Sequence, residues 1–521
     1  MPLTVLILAA AIAILGWGFY RARPMGRLGI LAWLQSLVLM LPWLLFFGLF
    51  AVGVYLNLAA VLLLIVASTG LYILLGKQLR TLAAEQKLSQ AEAYRDLEGR
   101  SPERHDAPSK PAPAPGEPAA PPSSPNLDPA SPSSQAVSGA RSGSGAEDTE
   151  PAKIPAEDLA TIREIFGIDT FFATETLPYL DGAIFKGNLR GEAAVSHARL
   201  SERLQQRVGD RYRLFLINGP DDRPTVVVLP ATAGPSPTTK TQLALAGVLA
   251  VVTSLTCLET SGLLQSFDLS ADWQRFPQAF PLALGLLLIL AVHEVGHRLV
   301  ARRWGVRLSP PFLIPTLQLG SFGSITRFES LLPNRDALFD IAVAGPLAGG
   351  VASFTILILG LSLSHQGSIF QIPSEFFQGS ILVGTLARVV LGNALQQALV
   401  DVHPLVVVGW IGLIITAINL MPAGQLDGGR IVQSIYGRKT AGRATVATLI
   451  LLGLVSFANP LALYWAVLIL FLQRELERPA LEDLSEPGDA RAALGLLVLF
   501  LMAATLLPLT PGLAGRLGIG G

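Results

Sequence analysis

From Leu28 to Leu75 the chain runs without one charged side chain, about twice the length that a single helix needs to cross a bilayer. Lipid offers backbone amides no partners, so a stretch of this kind must close its own hydrogen bonds as helix. A break near Gly53 to Asn57 divides it into two antiparallel helices. The earlier apolar run, Leu3 to Phe19, has no basic residue before it, and Arg21, Arg23 and Arg27 follow it. That pattern fits a retained anchor better than a cleaved signal peptide. Residues 1–76 are therefore expected to form three transmembrane helices.

Apolar runs return at about 241–260, 279–302, 338–363 and 404–422, each long enough to span. Residues 443–473 carry Asn459 and Pro460 at their centre and read as two helices, and Ala492 to Leu507 supplies the last. Gly379 to Leu395 is too interrupted to assign. Arg21 and Arg23, Lys77 and Arg80, Lys240, Arg298 to Arg303, and Arg430 to Lys439 all fall on one side of this layout. By the positive-inside rule that side is the cytoplasm. Composition agrees, with 51% hydrophobic and only 15% charged residues and a mean hydropathy of +0.51. The 38 basic and 38 acidic residues balance, which gives no general attraction to nucleic acid. The single cysteine, Cys257, lies in an apolar run and reads as a small buried hydrophobe.

Between the hydrophobic halves the character changes. Residues 77–100 place Leu79, Leu82, Leu88 and Leu97 among charges, which suits an amphipathic helix leaving the membrane. Residues 101–155 are dense in Pro, Ser, Ala and Gly and hold too little apolar surface to fold, so they are expected to be a disordered linker. Helical spacing appears at Leu159, Ile162, Ile165 and Phe166 and again across Ala193 to Val208. Strand-like runs lie at Ala183 to Leu189, Tyr212 to Ile217 and Pro224 to Leu229. The expected whole is a polytopic α-helical membrane protein with a small cytoplasmic α+β domain at 156–236 and a multi-span domain at 237–521.

The chemistry is concentrated at the end of one span, in His293-Glu294-Val295-Gly296-His297. Histidines at i and i+4 stand on one helical face a turn apart, so both imidazoles can reach one Zn²⁺, while the glutamate between them can address its water. The chain has only six histidines. Ionisable groups at membrane depth are costly unless buried with partners or bound to metal, which favours a site over chance. A catalytic zinc wants a third protein ligand. The metzincin extension is absent, because Arg298-Leu299-Val300-Ala301-Arg302-Arg303-Trp304 follows His297. Glu329 is one possible third ligand, in a polar stretch. Asp427 is the better one, level with the histidines at the cytoplasmic end of another span.

These residues resemble the site-2 protease family of intramembrane zinc metalloproteases, whose signature pairs HExxH with a distant NxxPxxxLDG. Asn419, Pro422, Leu426, Asp427 and Gly428 match the second half in spacing and identity. Gly187-Asn188-Leu189-Arg190-Gly191, Gly320-Ser321-Phe322-Gly323 and Ala344-Gly345-Pro346 are similar to the chloroplast and cyanobacterial branch linked to ethylene-dependent gravitropism and yellow-green phenotypes. The similarity runs from about residue 156 to the end, without a PDZ-like module, and leaves the first 155 residues uncovered.

The resemblance implies that His293, His297 and Asp427 hold Zn²⁺, that Glu294 is the catalytic base, and that Asn419 assists as an amide partner of the substrate or oxyanion. It implies hydrolysis of transmembrane or membrane-associated protein substrates within the bilayer. Such a substrate must unwind to expose a peptide bond, and Leu317 to Phe328, with Gly320 and Gly323, is the expected edge against which it would extend. The alternative is a catalytically silent membrane chaperone or client-binding protein of the same fold, which would have no use for Glu294. A transporter would spread its polar residues over several spans rather than gather them at one level. His403 is expected at the interface, and Asp336 and Asp340 in local ion pairs or caps. Without an evident transit peptide, a bacterial plasma or thylakoid membrane, cyanobacterial ones included, is the expected location.

Overall fold

The computed structural model describes residues 154–519 except 180, 220, 221, 458 and 474, together with 26–51 and scattered positions within 16–23 and 63–79. Two compact units divide at residue 150. In the first, helix α1 (Gly26–Ala51) includes Pro42 in its interior. Gln35 donates to the Tyr72 carbonyl at 3.4 Å and the Ser68 hydroxyl donates to that of Val38, so the chain returns antiparallel to α1. The expected anchor at Leu3 to Phe19, the break near Gly53 to Asn57 and the expected linker lie, wholly or mostly, outside the described residues.

The second unit begins with the α+β portion. Helix α2 (Ala156–Arg163) leads into strands β1 (Phe171–Tyr179) and β2 (Gly182–Leu189). Helix α3 (Ala193–Val208) follows, then β3 (Tyr212–Asn218) and β4 (Pro224–Pro230). The sheet is antiparallel in the order β1-β2-β4-β3. Leu200, Leu204 and Val208, spaced at i, i+4 and i+8, line the buried face of α3 against Phe171, Phe185, Leu216 and Val226. The three strands expected from sequence are present. The fourth, β1, carries Pro178 and mixed polarity, as an edge strand can, and gave no clean alternation.

The membrane portion follows as α4 (Lys240–Leu264), α5 (Phe276–Arg303), strands β5 (Phe312–Thr316) and β6 (Gly320–Ile325), and α6 (Arg335–Leu363). Then come β7 (Phe370–Pro373), α7 (Ile381–Leu391), β8 (Leu399–Val402) and α8 (Pro404–Asn419). The chain ends with α9 (Asp427–Val455), α10 (Pro460–Leu468), α11 (Asp489–Leu506) and α12 (Pro511–Leu517). Among the described residues, α4, α5 with its preceding turn, α6 and α11 are long and apolar enough to cross a membrane, and α7, α8 and Leu461–Gln473 are shorter apolar helices. The unassigned stretch at 379–395 is the short helix α7 and the turns that flank it. Asn459 breaks the 443–473 run as expected, its side chain capping α10 through the Leu461 amide at 3.0 Å.

Two features position the site. The β5–β6 hairpin, over the stretch expected as an edge, is fastened to α4 by Thr256, which donates to the Gly320 carbonyl at 2.6 Å, and by Thr260, which donates to that of Leu317 at 2.9 Å. Gly320 sits at φ +80°, where a Cβ would stand 2.9 Å from the sulfur of buried Cys257. On the side of the α+β portion, residues 481–483 form a strap. Leu216 of β3 donates to the Leu481 carbonyl at 2.8 Å, and Asp483 donates back to Leu216 at 2.9 Å. The opposite edge of the strap donates from Leu481 to Leu332 and from Glu482 to Pro333, just ahead of α6. Hydrogen bonds thus run from the β3 edge into the helical portion.

Candidate metal centre

Toward its end α5 buries one face, that of His293, Glu294, His297 and Ala301, and the two histidines on it meet α6 and the start of α9. His293 Nε2 and His297 Nε2 lie 3.2 Å apart. Asp427 Oδ2 stands 3.3 Å from the first and 3.4 Å from the second. Three ligands about 2.0–2.1 Å from a tetrahedral zinc would stand about 3.3 Å from one another, so this near-equilateral triangle has the dimensions of three corners of that tetrahedron. All three residues are buried. His297 Nδ1 lies 2.7 Å from the Ile341 carbonyl, a group that can only accept, so Nδ1 carries the proton and the Nε2 lone pair faces the centre of the triangle.

Close helix approach makes room for the imidazoles. A Cβ on Gly345 of α6 would fall 2.1 Å from His297 Nε2, and one on Gly349 would fall 3.0 Å from the His293 Cβ. The glycine pair repeats the i, i+4 spacing of the histidine pair across the helix interface. Small residues at such a contact let two helix backbones approach closely. What they pack against is the metal-binding face itself. At the head of α9, a Cβ on Gly428 would lie 1.8 Å from the Leu420 carbonyl oxygen, so the turn that delivers Asp427 admits no side chain there.

Glu294 is buried beside the triangle and held by two hydroxyls of the β6 segment. Ser324 donates to Oε1, and Thr326 donates to Oε2 at 3.1 Å. Neither was singled out from sequence, although their alternation in a stretch already marked as an edge was the available signal. Asn419, at the end of α8, is buried and donates to the carbonyls of Phe322 at 3.0 Å and Ile415 at 2.8 Å, tying α8 to β6. A cavity of about 10 Å³, near the size of one water, is bounded by Glu294, His297, Asn419 and Asp427.

Other candidates fall elsewhere. Glu329 accepts from the Thr238 amide at 2.9 Å and is absent from the cluster. His403 caps the far end of α8 through the Leu405 amide. Asp336 and Asp340 both pair with Arg491, at 3.2 Å and 2.7 Å. Arg430, unremarked as a site residue, donates to Glu477 at 3.1 Å and to the Thr326 carbonyl at 2.8 Å.

Residues 281–458 match the model of peptidase family M50, and residues 160–235 match the EGY3 middle domain. The chain is 41% identical to the probable zinc metalloprotease EGY2, chloroplastic, of Arabidopsis thaliana, over 68% of this chain and 66% of that protein. It is 38% identical to the probable zinc metalloprotease EGY1, chloroplastic, of the same plant, over 71% and 74%. With the probable zinc metallopeptidase EGY3, chloroplastic, it shares 33% over 68% and 66%. The chain thus spans about two thirds of the length of relatives it matches. These relatives are chloroplast proteins and lend no support to the expected bacterial membrane. No solved structure matches.

Proposed function

The chain belongs to peptidase family M50, the site-2 protease family of zinc metalloproteases, and from that premise we propose that it hydrolyses peptide bonds of transmembrane protein clients inside or beside the bilayer. The observation that carries this reading is the buried triangle of His293, His297 and Asp427, sized for three protein ligands that would hold one zinc. When bound, zinc activates a water molecule and polarises the scissile carbonyl.

The protein residues divide the remaining work. His293, His297 and Asp427 hold the metal, and the hydrogen bond from His297 Nδ1 to Ile341 fixes the ring that presents Nε2. Glu294 accepts the proton of the attacking water and returns it to the leaving amine. Ser324 and Thr326 fix its two oxygens so that the carboxylate need not search for its orientation. Asn419 anchors the β6 backbone at Phe322 and lines the same small cavity, which suits an amide that meets the substrate or its oxyanion. A client must unwind to reach this level, because helical hydrogen bonds shield its peptide groups.

Lys240, Arg302 and Arg303, and Arg430 to Lys439 lie at the helix ends nearest the α+β portion and the triangle, which supports a cytoplasmic or equivalent inner side for both. The activity is tested by purifying the full chain and the Asp427→Asn variant and incubating each with a panel of single-span model clients. The native chain should bind one zinc and cut at least one client, and the variant should lose both properties. Equal cutting by the two would remove Asp427 from the metal site.

A further inference from the structure

A larger cavity, of about 810 Å³, lies at the opposite end of the helices from the α+β portion, among Leu264 at the end of α4, Arg275 ahead of α5, and the first turns of α8. Its relation to the metal centre is set by one stripe of α8. Val407 and Ile411 line the large cavity. Ile415 and Asn419 line a small one against His293 and Ser324. Asn419 also lines the cavity that holds Glu294 and Asp427. These four positions are spaced by four residues and so form one ridge that winds slowly along α8.

The β5–β6 hairpin forms the facing wall in the same order. Gln318 and Leu319 border the large cavity, Gly323 and Ser324 the middle one, and Ser324 and Thr326 the last. Both walls therefore lead from the large cavity to the candidate metal centre. At 1.5 Å per helical residue, Val407 stands about 18 Å from Asn419 along α8. An extended peptide covers that distance in about five residues at about 3.3 Å each.

Resting on the protease reading above, we infer that the large cavity is a subsite for the client. It takes a bulky apolar side chain of the client's membrane-spanning segment, about five residues from the scissile bond on the side away from the α+β portion. Trp410, Ile411, Ile414 and Leu319 supply the apolar walls, and Gln318 and Arg275 give the rim polar groups for backbone that has left its helix. That α8 and the β5–β6 hairpin wall both the large cavity and the metal centre argues for the client rather than an acyl chain, since only a client must be aligned with the site. Selection would then act through a side chain remote from the cut, as binding energy from a distant group steadies the reacting bond.

The experiment uses the full chain in lipid nanodiscs with a panel of single-span clients, and the cut is mapped in each client that the native chain cleaves. The Glu294→Gln variant, carrying a photoreactive phenylalanine derivative at position 407, is irradiated with client, and the adduct is sequenced by mass spectrometry. A client adduct four to six residues from the mapped cut is expected. In parallel, Val407→Trp and Leu319→Trp fill the cavity from its two walls. Either should lower kcat/KM at least tenfold for a client with a bulky residue at that distance, with zinc content unchanged. Adducts to lipid alone, adducts scattered along the client, or both filled variants cutting within twofold of the native chain would overturn the subsite. Should the native chain cut nothing and the adduct still map to one client residue, the subsite stands as a client-binding pocket and the protease reading is what fails.

Discussion

Arg430 meets the other oxygen of Asp427, its Nη1 4.0 Å from Oδ1, while Oδ2 of the same carboxylate faces both imidazoles at 3.3 and 3.4 Å. The two oxygens of Asp427 are thus divided between the metal position and a buried guanidinium. Arg430 is itself held by Glu477 at 3.0 Å and by the Thr326 carbonyl, in the segment whose hydroxyls orient Glu294. One cation therefore links the third ligand to the β6 segment.

Replacing that fork should loosen the carboxylate without removing it. Arg430→Lys keeps the charge but cannot serve Glu477 and Thr326 together. Zinc affinity, measured by competition with a chelating indicator, should fall about 10- to 100-fold, as for other groups that orient metal ligands. A dissociation constant within twofold of the native value would show that Arg430 does not position Asp427.

The glycines of α6 give a sharper contrast. Gly345→Ala would put a methyl group 2.1 Å from His297 Nε2, whereas a Cβ on Gly350 would meet only the Thr416 methyl at 3.5 Å, an ordinary contact. Gly345→Ala should lose zinc and destabilise the chain by at least about 1–3 kcal/mol through overpacking. Gly350→Ala should keep its zinc and its melting temperature. Zinc stoichiometry and a thermal melt on both variants check this, and equal behaviour would contradict the account of the α5–α6 interface.

The α+β portion should be sensitive to acid. The Tyr212 hydroxyl, 2.7 Å away, and the Arg211 guanidinium, at 2.7 and 2.8 Å, hold the Asp158 carboxyl below its ordinary value of 3.8. A folded pKa below the unfolded one gives stability that is present above about pH 4 and lost as pH falls through the folded value. Burial lowers His197 from its ordinary value, so its contribution has the same sign and begins to fade below about pH 6.5. Burial also pushes the Tyr212 phenol up to about 12, and that contribution is full below about pH 10 and lost as pH rises through 12. Amide exchange in β3 and β4, followed from pH 7 to pH 3, should show protection falling. Tyr212→Phe should weaken the pH dependence below pH 4.

Much of this was legible in the sequence because the signals are local. Uncharged runs give helices in lipid whatever their neighbours do, and His293, Glu294 and His297 are juxtaposed by one turn of helix. Asp427, far along the chain, was found through the pattern around Asn419 and Pro422. The strap at 481–483 gave no signal, since its backbone pairs with Leu216 on one edge and with Leu332 and Pro333 on the other without needing any side chain. Arg430 read only as one of several basic residues near a membrane face, because its partner Glu477 lies beyond two intervening helices. The stretch at 404–455 also differs in detail, since α9 already begins at Asp427 and is two helical segments that meet at Gly437, whose φ of +78° and ψ of 171° break the helix there.

The central claim is that Glu294 performs the proton transfer beside a zinc that it does not hold, and one paired measurement tests it most directly. Zinc content and cleavage of a single-span client are determined on the native chain and on Glu294→Gln, prepared identically. The account predicts one zinc in each protein and a loss of cleavage of about 10²- to 10⁴-fold in the variant, the range for a positioned acid–base group. Cleavage by Glu294→Gln at the native rate with zinc retained would contradict it.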